Sequence, residues 1–181
     1  MRYSIESILP VQPGQEYIYF WGHQPSKDGT IIKSCFSQWW FSDFIENEIT
    51  YKTAEHYMMA KKAELFGDFE AVNDVLKCSK PQDVKKIGRR VKDFDEQKWN
   101  DNKYDIVLRA NYLKFDQDPN LQEFLMSTND KIIVEASPYD KIWGVGQTQD
   151  DPDIKDPQKW KGENLLGFAL MEVRDELIAK N

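Results

Sequence analysis

Histidine and cysteine are both scarce in this 181-residue chain, with His23, His56, Cys35 and Cys78 as the full complement. They stand singly, so no zinc-ligand spacing runs through them; no structural metal is expected, although scattered carboxylates leave room for a magnesium ion. Two isolated cysteines in apolar contexts cannot form a disulfide framework and suit a reducing compartment. No stretch approaches the roughly 18 apolar residues of a membrane-spanning helix. The N-terminus has no basic segment followed by an apolar run. A soluble, cytoplasmic protein that needs no cofactor is the expectation.

Positive charge is also short. Lys and Arg number 24 against 31 Asp and Glu, a net charge of −7. That balance argues against broad, sequence-blind binding to a phosphate backbone. One local exception is KKIGRRVK, Lys85 to Lys92, which reads either as a basic patch or as the solvated face of a helix. What the chain has in quantity is aromatic side chains: six Trp, eight Tyr and ten Phe. Trp21 and Trp143 each precede a glycine, and Trp39 and Trp40 sit among Ser, Gln and Asp, contexts typical of loops. Rings on loops can stack bases, at about 1–3 kcal/mol per base.

A chain of this length is most simply one domain, residues 1–181, with a core over about 17–178. EYIYFW, TIIKSCF, ENEITYKT and KIIVEAS have strand character, the first two joined by a Pro, Ser, Asp and Gly loop where a small sheet begins. Thr53 is a suitable N-cap and Gly67 a suitable C′ residue, predicting a helix from about Ala54 to Phe66. Asp68 caps the next helix, Pro81 opens a third, and Trp99 to Phe115 shows mixed helical spacing. Another helix restarts at Asp118 and Pro119, and NLLGFALMEVRDELIAK closes the chain as an amphipathic helix despite Gly167. The predicted fold is α+β, mostly helical, with a small sheet. The Gly-, Pro- and Asp-rich segment after KIIVEAS is long enough to suggest function on length alone.

One residue in the Thr53–Gly67 helix is out of place. Glu55, Met58, Met59, Lys62, Leu65 and Phe66 fall on one side of the wheel, so Lys62 lies inside an otherwise apolar stripe. Lys62 either runs its methylenes over the stripe and snorkels to water, or is held partly desolvated, where its pKa falls and the free amine becomes a nucleophile. Glu55 points the same way about 10 Å along the axis, and as a first-turn acid it also complements the helix dipole. His56 faces elsewhere and reads as a packing residue.

Eight ordered blocks, YFWGH, FSQWWFSDF, YKTAEHYMMAKKAELFGD, KKIGRRVKDFD, KW, NYLKF, EASPYDKIWGVG and KGENLLGFALMEVRDEL, resemble the NADAR (YbiA-like) family over about Tyr17 to Leu177. The resemblance implies a helix-rich α+β fold and N-glycosidase activity. It offers two substrate types: phosphoribosylated pyrimidine intermediates of riboflavin synthesis, and ADP-ribosylated guanine, free or in nucleic acid. Carried across, it places catalytic roles on Glu55, Lys62 and Asp140, and substrate binding on Gly88, Arg89, Trp99, Trp143 and Asn164, with Trp21 and Trp40 as further stacking candidates. In that scheme Lys62 forms a Schiff base with ribose, Glu55 or Asp140 moves protons, and Arg89 holds a phosphate. Val145 follows Trp143–Gly144 where riboflavin-pathway members carry Asp, which tilts the expectation toward ADP-ribose. A non-catalytic ADP-ribose-binding module is the alternative of another class.

Overall fold

A computed structural model describes residues 1–180. The chain divides into two compact units, a terminal one of Met1–Ser37 with the chain from Pro119 onward, and a central one of Gln38–Asp118. Six α-helices and two two-stranded sheets occur among the described residues, an α+β fold.

The central unit is built around α1, Ala54–Leu65. Thr53 in extended backbone accepts the His56 N–H on its side chain, satisfying one of the helix's orphan donors, and Gly67 ends the turn at φ +73°. Asp68 then accepts from Ala71 N–H to start α2, Phe69–Lys77. Pro81 occupies the first turn of α3, Pro81–Gly88, where its missing N–H costs nothing, and Asp95 caps α4, Glu96–Gln117. The roles of Thr53, Gly67, Asp68 and Pro81 match the sequence reading, which named no cap for α4. The amphipathic stripe does not: Ala54 to Ala60 are all buried, because α1 packs against α2, α3 and α4 at once and has no solvent face there.

A hairpin leads into α1. β2, Phe44–Glu46, pairs antiparallel with β3, Ile49–Tyr51, through a two-residue turn in which Asn47 and Glu48 both take positive φ. The hairpin aligns Phe44, Tyr51 and Tyr57 in a cluster, with Tyr51 and Tyr57 edge-on at 4.9 Å.

In the terminal unit, β1, Tyr17–Phe20, pairs in parallel with β4, Ile132–Glu135. The expected strand in TIIKSCF is instead a single 3₁₀ turn over Lys33–Phe36. The turn buries Ser34, Cys35 and Phe36, and Phe36 packs against both Phe20 and Phe124. The small sheet is therefore two separate pairs, β1–β4 and β2–β3. α5, Pro119–Met126, and α6, Leu165–Lys180, complete the unit. α6 is buried continuously from Leu165 to Arg174, so it too lacks the expected amphipathic face.

β4 reaches α6 closely at Gly167, where an added Cβ would sit 2.1 Å from Ile133 O. Gly167→Ala gains roughly 1 kcal/mol of helix preference but forces this backbone contact apart, at about 1–3 kcal/mol. A net fall in thermal midpoint is expected in differential scanning calorimetry. An unchanged or raised midpoint would show that β4 and α6 separate freely.

Candidate functional site

Lys61 and Lys62 are neighbours on α1, both half-buried, and meet opposite environments. Lys61 Nζ donates to Glu64 Oε2 at 2.9 Å and lies 3.8 Å from Glu46 Oε2. Burial opposes its charge, but the Glu64 hydrogen bond and surrounding negative charge outweigh burial, and its pKa rises. Lys62 Nζ donates instead to the backbone carbonyl of Gly88 at 2.8 Å, with the Phe94 ring centroid at 4.3 Å and that of Trp99 at 5.3 Å. It forms no ion pair among the described residues. Burial is the larger influence and pushes its pKa below the ordinary lysine value, while the charge of Glu55 pulls it upward.

Gly88 is part of this arrangement for a steric reason. A Cβ there would lie 1.9 Å from Met59 Sδ, so the Met59 side chain fills the space that the absent side chain leaves where α3 rests on α1. The Gly88 carbonyl is delivered to Lys62 at the end of α3. Trp99, in the first turn of α4, is half-buried against the ammonium. Glu55 is buried in the first turn of α1, its backbone N–H donating to Gln38 O at 2.9 Å. Arg89 is exposed just past α3, and Trp40 is half-buried in the same unit. His56 is structural: a carbonyl can only accept, so Nε2 donates to Cys78 O at 3.3 Å. Its Nδ1 lies 2.8 Å from Thr53 Oγ1, and burial lowers its pKa.

Phe94 has no part in the sequence reading. It is 46% exposed on the α3–α4 connection, follows Asp93 in left-handed backbone at φ +51°, and packs on Phe66 at 5.3 Å. The available signal is an apolar residue alone in the charged run VKDFDEQ.

Four other expected site residues belong to the terminal unit. Asp140 Oδ1 accepts the backbone N–H groups of Ile142 and Trp143 at 2.9 and 2.8 Å, folding the loop that carries half-buried Trp143. Asn164 is fully buried in left-handed backbone at φ +55°. Its carboxamide accepts from Glu135 N–H at 3.0 Å and donates to Ile133 O at 3.0 Å, so it ties β4 to the start of α6. Its contacts are thus with backbone and not with an open surface. Val145 is buried, its N–H on Glu135 O. Trp21 is 57% exposed and lies 6.1 Å from Tyr139, a second aromatic the sequence reading passed over. No group of three or more metal-ligating side chains occurs among the described residues.

The NADAR domain model matches residues 19–178. The chain belongs to the NADAR domain family. It is similar to N-glycosidase R617 of Acanthamoeba polyphaga mimivirus, 43% identical over 166 residues that make up 89% of this chain and 96% of the relative. It is also similar to N-glycosidase YbiA of Escherichia coli strain K12, 30% identical over 128 residues, 71% of each chain. The NMR structure of the E. coli protein YbiA superposes with a TM-score of 0.72 at 25% identity, over 97% of this chain and 94% of that one. The NADAR match runs through both units and includes every candidate residue named above.

The Lys62 environment has a thermodynamic consequence. Its folded pKa lies below the ordinary 10.5, so between the two values the unfolded chain binds more protons and stability rises with pH. Removing the amine in Lys62→Met removes that slope. Urea unfolding of both proteins, compared at a pH below this window and again near its top, is expected to show wild type gaining on the variant. A pH-independent difference would mean that the amine titrates normally.

Proposed function

We propose that this chain is an N-glycosidase that hydrolyses a ribosyl C–N bond, with Lys62 as nucleophile and ADP-ribosylated guanine as substrate. The observation that carries the reading is the Lys62 amine itself, desolvated between two rings, held by a carbonyl in place of a carboxylate, and lowered in pKa. Lys61, one residue earlier, has the usual salt-bridged environment, so the difference is a property of the site and not of the helix. The N-glycosidase names of the two curated relatives support the same bond type.

In this reading the neutral amine attacks the anomeric carbon of the ribose, the C–N bond to guanine breaks, and the base leaves with the electron pair and takes up a proton. The ring then opens to a protonated Schiff base on Lys62. Water adds to that carbon, the C–N bond to lysine breaks, and ribose is released with the amine regenerated. The net reaction consumes one water. Two partial charges need stabilising, positive at the anomeric carbon and negative on the leaving base.

Glu55 is the proton carrier of choice, since it is buried on the same helix and acts electrostatically on Lys62. Asp140 is the weaker candidate, because one of its oxygens is occupied by two backbone N–H groups. Trp99 and Phe94 offer flat faces beside the amine for a base, and exposed Arg89 offers a planar fork for a phosphate. Val145 supports ADP-ribose over a riboflavin intermediate: the position is fully buried and apolar and has no carboxylate to present.

Lys62→Met is expected to abolish release of ADP-ribose from ADP-ribosylated guanosine, with the circular dichroism spectrum unchanged. Borohydride added during turnover of the wild type is expected to leave a reduced ribosyl adduct on Lys62, located by peptide mass spectrometry. Near-normal turnover by the variant would sink the nucleophile assignment. Turnover of a phosphoribosylaminopyrimidine in place of ADP-ribosylated guanosine would overturn the substrate.

A further inference from the structure

We infer that the terminal unit holds a binding site for a small zwitterion of the amino-acid type, an apolar body bearing adjacent carboxylate and ammonium groups, in the cavity between the N-terminal segment and α6. The site lies wholly within that unit and draws nothing from the Lys62 chemistry.

The cavity has a volume of about 360 Å³. One wall comes from the segment between Tyr3 and Gln15, and the other is the face of α6 that carries Met171, Arg174 and Asp175 at helical spacing. Asp130 and Ile132, at and just before the start of β4, add to the lining. The N-terminal wall is fastened to α6. Tyr3 Oη donates to Asp175 Oδ2 at 2.7 Å, Arg2 pairs with the same oxygen at 2.9 Å, and the backbone N–H groups of Arg2 and Tyr3 donate to Glu172.

Arg174 is the residue that points to a ligand. It is 2% exposed, and the hydrogen bonds it makes run from Nη1, to Thr128 Oγ1 at 3.0 Å and Lys131 O at 2.8 Å. Nε is enclosed and donates to nothing among the described residues. Asp175 Oδ1 lies 4.0 Å from it, beyond hydrogen-bond reach, and the other Asp175 oxygen is taken by Tyr3 and Arg2. A buried donor in this state has lost its hydration without replacement, so this edge of the guanidinium favours an arriving acceptor.

Charge narrows the ligand. A carboxylate matches the planar fork of arginine. A plain anion, however, also meets Asp175 and Asp130, whose charges both act on the guanidinium. Asp130 is exposed, lines the cavity and makes no ion pair or side-chain hydrogen bond among the described residues. A cation alone answers Asp130 and leaves Arg174 as it stands. A ligand carrying both signs satisfies both residues, and Leu9, Pro10, Ile132 and Met171 offer apolar lining to the rest of it. Because Nε is enclosed, a ligand oxygen reaches it through a small outward movement of the wall that Tyr3 anchors.

The test uses the full chain and isothermal titration calorimetry with L-leucine, with N-acetyl-L-leucine, which lacks the cation, and with L-leucinamide, which lacks the anion. L-Leucine is expected to bind saturably, and each single-charge analogue at least about tenfold more weakly, the loss of one hydrogen bond to a charged group. Asp130→Asn, a conservative change at an exposed position, is expected to weaken L-leucine by at least about tenfold with its thermal midpoint unchanged. Arg174→Lys is expected to lose binding, but it also disturbs the Thr128 and Lys131 contacts, so the location is read separately. In isotope-labelled wild type the Arg174 Nε–H resonance, identified by its loss in Arg174→Lys, is expected to shift as L-leucine is added. No saturable binding of L-leucine, equal affinity for N-acetyl-L-leucine, full affinity in Asp130→Asn, or an unmoved Arg174 resonance at saturation would overturn the site.

Discussion

The packing of α3 on α1 at Gly88 is the constraint from which the Lys62 site follows. Met59 Sδ occupies the space a Cβ would need at that position, so a side chain there would displace the Met59 side chain from between the helices. Closure buries part of the Lys62 side chain and supplies the carbonyl that accepts its hydrogen bond. A carbonyl satisfies an ammonium donor without the full negative charge that would hold the proton in place. The same contact therefore stabilises the side chain's position and leaves its pKa depressed by burial.

The neighbouring lysine makes the physical difference plain. Lys61 and Lys62 share a helix, a chemistry and a half-buried setting, yet one is answered by carboxylates and the other by rings and a carbonyl. Only the second is shifted toward the free amine, with burial lowering its pKa where carboxylates raise that of Lys61. Phe94 and Trp99 add a further property. Their faces lie 4.3 and 5.3 Å from the ammonium and attract it. The terminal unit contributes rigidity of another kind, with Asn164 and Asp140 spending their hydrogen bonds on the backbone of the segment between β4 and α6.

Local punctuation was legible from residue type. Thr53, Gly67, Asp68 and Pro81 start or stop helices through hydrogen bonds and φ preferences that involve residues three or four positions away. Face and pairing were less so. The stripe assigned to α1 presumes one solvent side, which disappears when three helices cover it. TIIKSCF has strand propensity, but its Lys33–Phe36 part winds into a 3₁₀ turn that packs Phe36 against Phe20 and Phe124. β1 finds its partner more than a hundred residues away in β4, a parallel pairing that no nearby turn signals.

By itself the sequence determined the α+β class, the starts of α1, α2 and α3, the uneven charge and the suspicion attached to Lys62, because each depends on residue type and short-range spacing. Tertiary structure alone decided what surrounds that lysine. Gly88 lies 26 positions away along the chain, and Phe94 and Trp99 farther still. Burial, the identity of a hydrogen-bond acceptor and the approach of a ring are set by the packing of separate helices, so one-dimensional spacing carries no record of them.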